Sequence, residues 1–190
     1  PHCLDLNKLT PTDLKDPKGS PIAFMGNQDV KLYVSRRSEP MPFYFRNADG
    51  DELYFVHRGE GTVETDFGPL EFERGDYINI PRAVTYRIVP KTKDNFFFII
   101  QSKTEFEQPD NGLIGQHALY DPAVIVTPEP KPNLDDNREW EIRIRVDDEV
   151  STVVYPFNPL DVVGWKGDLT VWKLNMRDIR PIMSHRAHLP

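Results

Sequence analysis

The chain has 190 residues, with 23 Lys and Arg against 30 Asp and Glu and a formal net charge of −7. That length suits one ordinary domain or slightly more. The acidic balance argues against nucleic acid as a main partner, because phosphate binding needs clustered cations, and no apolar run approaches the roughly 18–20 residues of a membrane span.

Residues 1–20 are polar and Pro-bearing, and read as an arm. Cys3 is the sole cysteine, which excludes an intrachain disulfide and any cysteine-based zinc cluster. One thiol and the lack of a secretory leader lead us to expect a cytoplasmic protein. The chain starts at Pro1 and stops at Leu189-Pro190, which reads as a processed or truncated segment.

From residue 21 to 105 short strands follow at regular spacing. They are expected at residues 31–34, 53–57, 62–67, 70–73, 77–80, 84–89 and 95–101. Gly59-Glu60-Gly61, Gly68-Pro69, Arg74-Gly75-Asp76 and Pro81-Arg82 stand at the turns. The 18 prolines support punctuated β structure over helix. Side chains two apart share a strand face. Leu70 with Phe72, and Val84 with Tyr86 and Ile88, should therefore face the same way. The expected core includes Leu53, Phe55, Val63, Leu70, Phe72, Ile78, Ile80 and Phe97. Residues 106–137 carry Pro-rich loop chemistry and read as a linker. Strands return at residues 139–146 and 150–155, joined by Asp147-Asp148, within a β extension over 138–190. The fold expected is all-β, a jelly-roll or β-sandwich barrel with irregular extensions.

One stretch carries spaced polar residues. It reads Asn47, Asp49, Glu52 and Gly59, then Gly75, Pro81 and Tyr86. This resembles the two-part cupin signature, in which metal-binding members place two His and a Glu in the first part and a His in the second. Residues two apart on a strand can chelate one ion inside the barrel. Here the glycines, the proline and the acid keep their places, while Asn47, Asp49 and Tyr86 stand where imidazoles would. The expectation is a vacated site lined by Asn47, Asp49, Glu52 and Tyr86, with no metal in this chain. A hard-cation site on Asn47, Asp49 and Glu52 is the alternative. His57 falls in opposite phase to Glu52 and reads as a surface residue. His117 lies in a loop. His185 and His188 are three apart, which would align them on a helix; with His117 they are the weak candidate ligands. His2 beside Cys3 lacks an orienting third group for nucleophilic catalysis.

A later run reads Phe157-Asn158-Pro159-Leu160-Asp161-Val162-Val163-Gly164-Trp165-Lys166-Gly167 and continues to Lys173-Leu174-Asn175. It resembles the homogentisate 1,2-dioxygenase family. The loop from Gly112 to Pro122 resembles that family's Gly-rich loop after the first barrel, and the Asn47–Asp51 element is similar to its first-barrel motif. Val171 departs from it, standing where a proline usually follows the threonine. The resemblance implies an enzyme that opens the homogentisate ring with O2 to maleylacetoacetate, in tyrosine and phenylalanine catabolism. It implies Fe(II) held by two His and a Glu in a second cupin, downstream of this chain. The partners implied are a small aromatic acid, O2, that catalytic cupin and further copies in a homo-oligomer. No residue here matches an iron ligand, so the chain alone is expected to be inactive, with its 156–190 tail packed on the catalytic barrel through Trp165 and Trp172. A free-standing metal-free cupin that binds a small ligand, or a purely structural fragment, are the other readings.

Overall fold

The computed structural model describes residues 3–107, 121–131, 133, 135–160 and 169–179. All regular elements among them are strands or single 3₁₀ turns. One sheet holds β1 (Ile22–Gly26), β2 (Val30–Ser35), β9 (Phe96–Ser102), β4 (Asp51–Arg58), β7 (Asp76–Ile80) and β12 (Trp172–Asn175), in that spatial order. The second holds β11 (Glu149–Tyr155), β10 (Trp140–Val146), β3 (Tyr44–Asn47), β8 (Thr85–Pro90), β5 (Gly61–Thr65) and β6 (Gly68–Phe72). The two sheets face each other as a cupin-like jelly-roll sandwich, and the fold is all-β as expected.

The main core lies between the sheets. Val56, Val63, Leu70, Phe72, Ile78, Ile80, Val84, Ile88, Phe97 and Ile99 pack there with Tyr54 and Tyr86. Each aliphatic side chain fully withdrawn from water contributes about 1.5–3 kcal/mol. Leu70 with Phe72, and Val84 with Tyr86 and Ile88, all turn inward as their alternation predicted.

On β4 Glu52 faces the interior as expected, but Leu53 and Phe55 do not join the core. Glu52, Tyr54 and Val56 point into the core, while Leu53 and Phe55 are half-buried on the outer face. There Phe55 stacks on Tyr77 at 4.8 Å. Both faces of this strand carry large apolar groups, so alternation sorts its residues into two sets without saying which set is inside.

The expected division between a barrel at 21–105 and an extension at 138–190 does not appear in the sheets. β10 pairs in parallel with β3, Ile142 opposite Tyr44 and Arg145 opposite Asn47. β12 pairs antiparallel with β7. In the expected linker, Val126 bridges to Lys173 through hydrogen bonds of 3.0 and 2.9 Å. A second apolar cluster of Tyr44, Trp140, Ile142 and Leu160 covers the outer face of β3 and β10. The chain at Asn158 closes over it, and Tyr44 Oη donates to Asn158 Oδ1 at 3.2 Å.

The amino-terminal arm is held by two buried side chains. Asp13 accepts from Ser35 Oγ at 2.5 Å and from the Arg36 amide at 3.0 Å. Arg37 donates to the carbonyls of Pro17 and Gly19, both at 2.7 Å. The arm thereby reaches one end of the sandwich.

Gly68 follows the Asp66-Phe67 turn with φ of +119°, a region that disfavours any Cβ. A Cβ there would also stand 2.0 Å from the Glu129 carbonyl oxygen. Gly68→Ala is expected to cost about 1–3 kcal/mol, read as a lower urea midpoint with an unchanged slope.

Candidate functional site

Three tiers of side chains converge between the sheets. β4 supplies Glu52 and, one inward position on, Tyr54. β8 faces them from the opposite sheet with Tyr86. Tyr86 Oη donates to Glu52 Oε2 at 2.6 Å, and the Tyr54 and Tyr86 hydroxyls are 2.7 Å apart. With Glu52 ionised, the single Tyr86 proton goes to the carboxylate and Tyr54 donates to Tyr86. The result is a relay of hydroxyls ending on a buried acid.

Burial raises the Glu52 carboxyl above its ordinary range. The Tyr86 hydroxyl and the charge of Arg145 pull the other way without cancelling it. Tyr54 and Tyr86 are both pushed well up, first by burial and then by the neighbouring Glu52 charge. The Tyr86 phenol is therefore a fixed donor and cannot serve as a base near neutral pH.

β10 supplies the cationic wall. Its residues Glu141, Arg143 and Arg145 alternate with Ile142 and Ile144, so one face is charged and the other apolar. Arg145 donates from Nη1 to Gln101 Oε1 at 3.1 Å and to Tyr33 Oη at 3.4 Å. Its guanidinium lies over the rings of Tyr33 and Phe45, at 5.4 and 5.2 Å. Burial disfavours the Arg145 charge, but Glu52 and the tyrosine hydroxyls more than offset this and raise its pKa. Arg143 is paired with Glu141 at 2.6 Å and lies 3.8 Å over Phe43.

These groups surround a cavity of about 370 Å³. Its mouth lies between Gly19–Pro21 of the arm and Val150 and Thr152 of β11, and Glu52, Tyr54 and Tyr86 line its interior. A chamber of this size, apolar-walled with a few polar groups, has the dimensions of a small-molecule site.

The expected quartet is divided. Glu52 and Tyr86 meet in the cavity. Asn47 is buried at the end of β3, where its Oδ1 accepts from the Asp49 amide at 3.0 Å and its Nδ2 makes no hydrogen bond. Asp49 does not line the cavity. Its carboxylate accepts from the amides of Asp147 at 2.6 Å and Asp148 at 2.9 Å. Those two residues have φ of +51° and +65°, the backbone of the tight turn joining β10 to β11. Asp49 thus fastens a hairpin, and Lys31 adds an ion pair to Asp148.

His57 is exposed on the outer face of β4, 5.4 Å from the Phe96 ring, in opposite phase to Glu52. His117, His185, His188 and the Asp161–Trp165 run lie outside the described residues, as does His2. Cys3 is exposed. Trp172 is half-buried on β12. Among the described residues, no three His, Cys, Asp or Glu side chains gather as a metal site. Glu52 has two phenols and an amide as neighbours in place of imidazoles, and this donor set does not fit Fe(II).

Sequence reasoning missed Tyr33, Arg37, Tyr54, Arg143 and Arg145. A signal was present in the second-residue repeat of Glu141, Arg143 and Arg145. Such a face is ordinarily solvated, and only the parallel pairing with β3 turns it over a cavity.

The fold and site define a cupin-type barrel with a carboxylate–tyrosine–arginine interior. A family model for the homogentisate 1,2-dioxygenase N-terminal region matches residues 22–176, and the chain belongs to that family. A putative dioxygenase of Saccharolobus solfataricus is 32% identical over 175 residues, 89% of this chain and 44% of that protein. The homogentisate 1,2-dioxygenase of Nitrobacter hamburgensis is 29% identical over 80% of this chain and 34% of its own length. That of Bradyrhizobium diazoefficiens is 26% identical over 73% of this chain and 31% of its own length. The chain therefore spans less than half the length of these relatives. A cupin-2 domain protein from Shewanella frigidimarina superposes with a TM-score of 0.39 at 18% identity, over 44% of this chain and 79% of that one.

Two outcomes follow from the geometry. Glu52 has a folded-state pKa above the ordinary 4.5, so its contribution is most favourable below that value and is lost as pH rises through the folded pKa. Glu52→Gln removes this loss. The stability difference should therefore shift in the variant's favour as pH climbs above 4.5, in denaturant titrations across that range. Asp49→Ala frees both turn amides and should cost about 1–2 kcal/mol, with faster amide exchange along β10 and β11.

Proposed function

We propose that the chain is the non-catalytic amino-terminal barrel of a homogentisate 1,2-dioxygenase-like enzyme. That enzyme opens the homogentisate ring with O2 to maleylacetoacetate, in the cytoplasmic breakdown of tyrosine and phenylalanine. Membership of the family and the dioxygenase relatives support a role in a dioxygenase. The observation that carries the division of labour is the barrel interior, where Tyr86 holds Glu52 and, among the described residues, no imidazole reaches it. Fe(II), supplied by a second barrel, would bring substrate and O2 together, and this chain would support that barrel. No helix among the described residues is long and apolar enough to cross a membrane.

The partners proposed are the catalytic barrel and further copies of the protein. Val153 and Val154 are exposed on the edge strand β11, and Leu169 and Met176 flank β12 with exposed side chains. Apolar groups on sheet edges favour such association.

The test is oxygen uptake with homogentisate, Fe(II) and ascorbate, run on the full-length protein and on the 190-residue chain. Turnover is expected from the full-length protein alone, with clearly substoichiometric iron in the chain. Turnover by the chain, or stoichiometric iron lost on Glu52→Ala, overturns the proposal. Silence from both preparations removes the ring-cleavage reading.

A further inference from the structure

The Arg145 cavity has charge and shape that the scaffold role does not use. Three arginines line it, Arg37, Arg143 and Arg145, against two acids, Glu52 and Glu141. Arg143 is matched by Glu141. Both terminal nitrogens of Arg37 are taken by backbone carbonyls. Arg145 remains. Its hydrogen bonds leave from Nη1 alone, to neutral acceptors, and it makes no ion pair among the described residues. The guanidinium is positioned by two aromatic rings and carries unmatched hydrogen-bonding capacity at the wall of an apolar chamber.

We propose that this barrel cavity binds a small aromatic monocarboxylate, its carboxylate on Arg145 and its ring among Phe43, Phe45, Tyr54 and Ile99. A planar guanidinium with free N–H groups matches a carboxylate in one plane. Ring-lined walls match an aromatic body. Glu52 stands deeper in the same cavity, so a second negative group on the ligand would meet a carboxylate and be rejected. A cationic ligand would meet Arg145 at once. The arm held by Arg37 borders the mouth at Gly19 and Ser20, and β11 borders it at Val150 and Thr152. Inorganic phosphate is disfavoured, since only Arg145 among the three lining arginines lacks both an ion pair among the described residues and a backbone-carbonyl partner, and most of the wall is apolar.

The inference does not depend on ring cleavage. It is tested on the full-length protein, without iron or O2, by calorimetry with phenylacetate as probe. The matched controls are neutral 2-phenylethanol and the dianion phenylmalonate. Phenylacetate should bind, with both controls weaker by about tenfold or more. Arg145→Gln should weaken phenylacetate by a similar factor and leave 2-phenylethanol unchanged. Val150→Trp narrows the mouth from an exposed position, keeps every charge, and should weaken both probes; it also decides the matter if Arg145→Gln fails to fold. Binding elsewhere on the protein would survive both substitutions with an unchanged number of bound phenylacetate molecules, and that survival overturns the proposal. So does equal affinity for 2-phenylethanol, or no phenylacetate binding at all.

Discussion

The hydrogen bond from Tyr86 to Glu52 is the constraint on which the interior depends. A carboxylate withdrawn from water must be hydrogen-bonded or lose its charge. Here its partner comes from the opposing sheet, so satisfying the acid also sets the separation and register of β4 against β8. Tyr54 extends the chain of donors by one hydroxyl. Removing any member leaves a buried polar group unmatched, which costs more than the bond itself contributes. The volume that rings occupy near Glu52 is also volume from which further ligands to an ion are excluded.

Around this centre the fold recruits segments far apart in sequence. β10 lies some hundred residues from β3, yet pairs with it directly. That pairing turns the Glu141–Arg145 face over the barrel end and leaves Ile142 and Ile144 to be covered by Tyr44, Trp140 and Leu160 on the other side. Asp49 stabilises the arrangement from a distance, because the positive-φ turn it holds lets β11 fold back on β10. Arg37 does the same for the arm. The motif residue Asp49 and the unremarked Arg37 thus share one job, anchoring chain segments at the edges of the cavity.

The family places this barrel in proteins more than twice its length. Within such a protein, a barrel whose interior sets a hydrogen-bonded acid against a cationic wall offers surfaces and a chamber. Exposed Val153 of β11 belongs to the face away from that chamber, and Val150 and Thr152 join Arg143 and Arg145 in lining it. One hairpin therefore contributes to both.

Some of this was legible in the residues. Period-two alternation marked Leu70, Phe72, Val84, Tyr86 and Ile88 as inward sets, because each strand has only one apolar face. Gly and Pro marked the turns, because few other residues adopt those backbone angles. The cupin spacing singled out Glu52 and Tyr86, which do meet. The outward placement of Leu53 and Phe55 was not legible, because they are as apolar as Tyr54 and Val56, and only the opposing sheet chooses between them. The separation of Asp49 from Glu52 was hidden too, since a carboxylate at the end of a motif does not reveal which amides it will reach. Strand β3 and the cavity role of Arg143 and Arg145 depend on a parallel pairing between distant segments. Local sequence determines which side chains share a face; the packing of one sheet on the other decides what that face meets.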